Sequence, residues 1–158
     1  MAFLEWLQRS DLAIWVGESP SLWAYPTILT LHTVGLALVV GTNAVINLRL
    51  LGAGRRIPLA PLKTLYIPML VGFGINALTG VALFVAAAEF TGIKPIFYVK
   101  LGFVFLGLGT SVMIRRAVFG DQAALDRPIV LGTKILAVTS SIFWVAAITA
   151  GRYTAYIN

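Results

Sequence analysis

The sequence predicts an all-α fold, an integral membrane four-helix bundle with up-down-up-down connectivity and N-terminal interfacial helices. Three observations predict it. Hydrophobic residues make up 59% of the 158 residues and charged ones only 11%, with a mean hydropathy of +0.91. Water would leave that apolar surface without a partner, so lipid is the matching solvent. Four segments, Trp23–Leu48, Tyr66–Ala88, Pro95–Ile114 and Pro128–Tyr153, each offer the roughly 20 apolar residues a helix needs to cross a hydrocarbon core about 30 Å thick. The connections of about 17, 6 and 13 residues favour neighbouring antiparallel helices.

Residues 1–19 form the first unit and residues 20–158 the bundle. Met1–Ser19 lacks a basic beginning and carries Glu5, Arg9, Asp11 and Glu18, which argues against a cleavable signal peptide. Phe3, Leu4, Trp6 and Leu7, then Leu12, Ile14 and Trp15, read instead as short helices in the headgroup region. Pro26, Pro68, Pro95 and Pro128 sit near span starts, where a missing N–H costs least. Trp23, Tyr25, Phe97, Tyr98, Tyr153 and Tyr156 fall at span ends as an interfacial belt.

Charge sets the expected orientation. Arg49, Arg55, Arg56, Lys63, Arg115, Arg116, Arg127 and Lys134 lie at one end, and only Arg9, Lys94, Lys100 and Arg152 at the other. By the positive-inside rule the first end is cytoplasmic and both termini lie on the outer, non-cytoplasmic side. The net charge of +6 is thus topological and does not point to nucleic acid. A shift of 68 residues also lays span three on span one, pairing Asn43 with Ser111 and His32 with Lys100, as a duplicated hairpin would.

Several chemistries drop out. The absence of cysteine removes disulfides and thiolate sites. One histidine without nearby carboxylates cannot complete a zinc or copper shell. Glu89, Asp121 and Asp126 lie in loops or at span edges, so neither a hydrolytic triad nor a mid-membrane proton relay assembles. Gly72-x-Gly74 and Gly107-x-Gly109 lie inside apolar helices and carry no nucleotide signal.

Polar residues inside the spans are costly and turn inward. His32, Asn43 and Asn47 fall within about 60° of one another at roughly 100° per residue. Asn76 and Thr79 lie beside Gly72 and Gly80, a face that permits close helix approach. Lys100, Gly107 and Ser111 align on the third span, and Lys134, Ser141 and Arg152 on the fourth. His32 is about 9 Å inside Pro26, Lys100 lies at a similar depth, and Arg152 is near the same end. The three converge in the outer half, with Tyr98 and Tyr153 in the candidate cofactor-binding set.

His32 is a candidate axial ligand for haem iron, and the two cations could hold haem carboxylates or an anionic, quinone-like ligand. With Met69 and Met113 near the opposite face, such a haem would be five-coordinate or take Lys100 or a neighbouring subunit as its sixth ligand. The bland alternative has His32 bonding across helices while Lys100 and Arg152 snorkel to the interface. A cofactor-free scaffold subunit packed through glycine faces remains open. So does a small-solute transporter with a cavity lined by Asn43, Asn47, Asn76 and Ser111.

Trp23-Ala24-Tyr25-Pro26, the run Leu31–Leu38 containing Leu31-His32 and Gly35-Leu36-Ala37-Leu38, and the end Ala150–Tyr156 resemble an uncharacterised bacterial family of four-helix membrane proteins along nearly the whole chain. Leu48-Arg49-Leu50 and Lys100-Leu101 are more distantly similar to copper-resistance D-type and HemJ-type membrane proteins. The latter resemblance implies haem b on His32 and an electron-transfer or redox role, with quinone or another redox protein as partner. This chain lacks the tryptophan before the first-helix glycine and the second histidines of that pattern. Small bundles of this kind also form homo-oligomers or join larger membrane complexes.

Overall fold

The computed structural model describes residues 2–121, 125, 128–154 and 156, so the expectations at Asp126, Arg127 and Ala155 lie outside the described residues. Every regular element among the described residues is helical. Two short helices open the chain, α1 (Ala2–Gln8) and α2 (Asp11–Glu18). Ser10 divides them: its hydroxyl donates to the Leu7 carbonyl at 2.7 Å and accepts from Ala13 N at 3.3 Å, an N-cap for α2. Phe3, Trp6, Leu12, Ile14 and Trp15 are exposed. Ala13 and Val16 are nonetheless buried, because α2 seats one face on the main bundle.

Four long helices follow. α3 (Tyr25–Leu51) runs three residues past its expected end because Arg49 keeps its stem on the helix while its guanidinium reaches loop carbonyls. It stops at Gly52, whose φ of 108° is the left-handed conformation that glycine adopts freely. A 3₁₀ turn (Ala60–Leu65) leads into α4 (Tyr66–Ala86), and a single-turn α5 (Ala88–Thr91) precedes α6 (Pro95–Phe119). α6 also outruns its expected end, since Val118 and Phe119 pack back into the core. The last, α7 (Leu131–Thr154), begins after Pro128 rather than at it.

The segments Tyr25–Leu51, Ala60–Ala86, Pro95–Phe119 and Leu131–Thr154 are each long and apolar enough to cross a membrane. Their outward faces are apolar: Leu78 is 76% exposed and Leu70 71%. In lipid each hydroxyl needs an internal acceptor, and those of Thr30, Thr42, Thr79, Thr110, Ser141 and Thr149 donate to carbonyls four residues back.

α3 packs chiefly on α4 and α6 on α7, with α3 against α7 closing the assembly. The first pair meets at two glycines, where a Cβ on Gly35 would lie 2.7 Å from the Gly72 carbonyl oxygen. In the second pair Gly107 accommodates the Trp144 ring. The apolar core of Ile46, Leu50, Leu62, Met69, Ile114 and Phe119 sits toward the end that carries Arg49 and Arg115, the basic end. Toward the opposite end the buried apolar positions are small, among them Ala24, Ala88, Ala147 and Ala150.

Candidate functional site

Two polar clusters occupy the interior. The first is built on the α3–α4 pair. Gly80 leaves room for the imidazole of His32, since a Cβ there would meet His32 Cε1 at 3.1 Å. His32 Nδ1 lies 3.0 Å from the Asn76 carbonyl oxygen and 3.1 Å from Thr79 Oγ1. The Thr79 hydroxyl donates its own proton to the Ile75 carbonyl at 2.6 Å, so its oxygen is free to accept. Asn76 Nδ2, a donor, also lies 3.3 Å from Nδ1, but the two closer neighbours are acceptors, and this favours a proton on Nδ1 and a lone pair on Nε2. The Asn76 side-chain amide donates to the His32 carbonyl at 2.8 Å, and its nitrogen also lies 3.4 Å from Nε2.

Lys100 comes from α6 and is half-buried, with its chain lying over Gly151 of α7, where an added Cβ would meet Lys100 Cε at 3.4 Å. The other members of the expected cofactor set face outward. Arg152 is exposed, with its guanidinium 5.1 Å from the centre of the Tyr156 ring. Tyr98 is exposed and donates to the Gly92 carbonyl at 2.8 Å. Tyr153 is 55% exposed and borders an apolar groove of about 530 Å³ between α6 and α7. The structure thus brings part-buried His32, Asn76 and Thr79 together between α3 and α4, lays Lys100 over α7, and leaves Arg152, Tyr98 and Tyr153 exposed.

The second cluster ties three helices together. Asn43 Nδ2 donates to Ser111 Oγ at 2.7 Å, Asn47 Nδ2 donates to Asn43 Oδ1 at 2.7 Å and lies 3.0 Å from Ser141 Oγ, and Ser140 Oγ donates to Asn43 Oδ1 at 3.2 Å. Tyr66 adds a bond from α4 to the Ser111 carbonyl at 3.3 Å. Asn43, Asn47, Ser111 and Ser140 are all buried. Asn47 Oδ1 and the Trp144 indole N–H are buried without a partner among the described residues. Asn43, Asn47 and Ser111 are thereby bonded to one another, while Asn76 belongs to the histidine cluster. Asn43 and Ser111, which the 68-residue shift equates, touch directly.

Sequence reasoning missed Ser140, Tyr66 and Lys94. Ser140 adjoins the aligned Ser141, and a doubled serine on an inward face was the available signal. Lys94, counted only among the basic residues at the expected non-cytoplasmic end, is buried: Nζ donates to the Thr154 carbonyl at 3.2 Å and lies 3.3 Å from the Phe90 ring centre. It caps the C-terminal end of α7, where a cation is favoured. Among the described residues no group of three or more His, Cys, Asp or Glu is placed to hold a metal ion. Comparison with protein families, curated proteins and solved structures returns no match.

Proposed function

We propose that the chain is a haem b-binding protein of the bacterial cytoplasmic membrane, an up-down-up-down bundle with its basic end in the cytoplasm and both termini in the periplasm. The orientation rests on the eight-to-four partition of basic residues between the two ends. The cofactor reading rests on one observation above all. The imidazole of His32 gives its Nδ1 proton to the Asn76 carbonyl at 3.0 Å, the arrangement that fixes the ring of an axial ligand and raises the donor strength of Nε2.

The donor set fits a haem held at one axial position. His32 Nε2 would ligate the iron in place of its 3.4 Å contact with the Asn76 amide. Lys100, lying over Gly151, would pair with a haem carboxylate, and Arg152 at the same end would offer a second cation at the surface. Haem bound there supplies reversible one-electron chemistry. The protein's part is to orient the imidazole, exclude water through the apolar helices and neutralise the carboxylates. Quinone or another redox protein is the expected partner, and the exposed apolar faces suit a homo-oligomer or a larger membrane complex. The likeness of Leu31–Leu38 and Lys100-Leu101 to HemJ-type proteins supports the same reading.

A cofactor-free scaffold subunit is the second reading, favoured by the same 3.4 Å approach of the Asn76 amide to Nε2, which lets His32 act as a clamp between α3 and α4. An absorbance spectrum of protein purified from haem-replete cells separates the two. The haem reading predicts a Soret band that His32→Ala abolishes; a featureless spectrum leaves the scaffold.

A further inference from the structure

We propose that the basic end of the bundle holds a pocket for a phosphate-bearing anion, namely the headgroup of an anionic phospholipid. A cavity of about 600 Å³ opens between the end of α3, the loop that follows it and the approach to α7. Arg49, Arg55 and Lys134 line it, and among the described residues none that lines it is acidic. This inference is independent of the haem reading.

The pocket wall is held in shape by the chain. Gly52 and Gly54, with φ of 108° and 60°, fold the loop back over the helix end. Arg49 pins that loop, donating from Nε to the Ile57 carbonyl at 2.7 Å and from Nη2 to the Arg55 carbonyl at 3.2 Å. Those bonds use only part of its fork, and the remaining N–H groups are available to a ligand. The Arg55 guanidinium rests against Gly52, where an added Cβ would lie 3.4 Å from Nε. Lys134 stands in the first turn of α7, which contains no acidic residue. The N–H groups at such a helix start add their own attraction for an anion.

A lipid headgroup suits the pocket better than a soluble phosphate. Leu50, Leu59 and Ile129 supply an apolar wall beside the cations, and the cavity lies at the junction of the apolar segments with the polar loops. A phosphodiester with its glycerol and acyl chains matches both halves.

The test uses the full chain in neutral detergent, titrated with phosphatidylglycerol or phosphatidylcholine of identical acyl chains, with binding read by native mass spectrometry and thermal midpoint. Phosphatidylglycerol is expected to bind and stabilise, and phosphatidylcholine is not. Each pocket charge removed should weaken binding about fivefold, so R55Q falls about fivefold and R55Q/K134Q about 25-fold. R56Q/K63Q removes the same charge from outside the pocket and should retain wild-type affinity. Equal loss in the two double variants, equal binding of both lipids, or no binding overturns the proposal. Inorganic phosphate that stabilises as well as phosphatidylglycerol overturns the lipid source in favour of a soluble phosphate.

Discussion

Gly72→Ala places one methyl group where α3 and α4 cross. The added Cβ would sit 2.6 Å from Leu38 Cβ, 2.8 Å from the Gly35 carbonyl oxygen and 3.2 Å from Val39 N. All three neighbours are main-chain or Cβ atoms, so no rotamer change relieves the overlap. The helices must separate by roughly 0.8 Å to restore ordinary carbon contact. Overpacking of this kind costs about 1–3 kcal/mol. For a chain of this size that lowers the thermal midpoint by roughly 2–12 °C. Gly74→Ala is the matched control: nothing lies within 4 Å of its added Cβ, and alanine favours the helix over glycine. Thermal unfolding in detergent, followed by circular dichroism, reads both variants. Gly72→Ala should melt clearly below wild type and Gly74→Ala at or above it. Equal midpoints for the two variants would refute the close crossing.

Three further outcomes follow from the clusters. Asn43→Ala breaks bonds to α6 and α7 and should cost about 1–3 kcal/mol, given interhelical bonds in membranes of about 0.6 kcal/mol on average and up to about 1.7. Adding Ser111→Ala should cost less than the sum of the single changes; strict additivity in detergent unfolding would deny the coupling. Lys94→Met removes the cap on α7 and the contact with Phe90, and should destabilise by about 1–2 kcal/mol. Hydrogen exchange should then rise across the last turn before Thr154, and unchanged protection there would contradict the cap. Gly80→Ala would crowd His32 Cε1 at 3.1 Å and should reduce haem retention, with stability moved by less than about 1 kcal/mol. Full haem retention in that variant would argue against a fixed imidazole position.

The four apolar helices were legible because each span declares itself by length and hydropathy over many residues. Their ends were not, since hydropathy marks where the apolar run stops and hydrogen bonding where the helix stops. Arg49, Arg115 and Arg116 remain helical although each is charged. Helical periodicity put Asn43, Asn47, Ser111 and Ser141 on inward faces, and the structure brings them together. It could not tell that Asn76 would pair with His32 rather than with that group, because this depends on the register of α4 along α3 set by Gly35 and Gly72. Depth, together with its alignment on the face of Ser141, grouped Arg152 with His32 and Lys100. A long flexible stem at a helix end can leave that face, and the guanidinium lies over Tyr156 on the surface. Lys94 entered the sequence reading only as a charge at one end, and a single ring and a helix end suffice to bury its ammonium.

The decisive quantity is the amount of haem that survives purification per folded chain, measured by extraction for wild type and His32→Ala side by side. A stoichiometric yield in wild type, lost in a His32→Ala protein of near-native helicity, is the predicted result. Haem-free wild type from haem-replete cells, or equal haem in both proteins, would contradict ligation by His32.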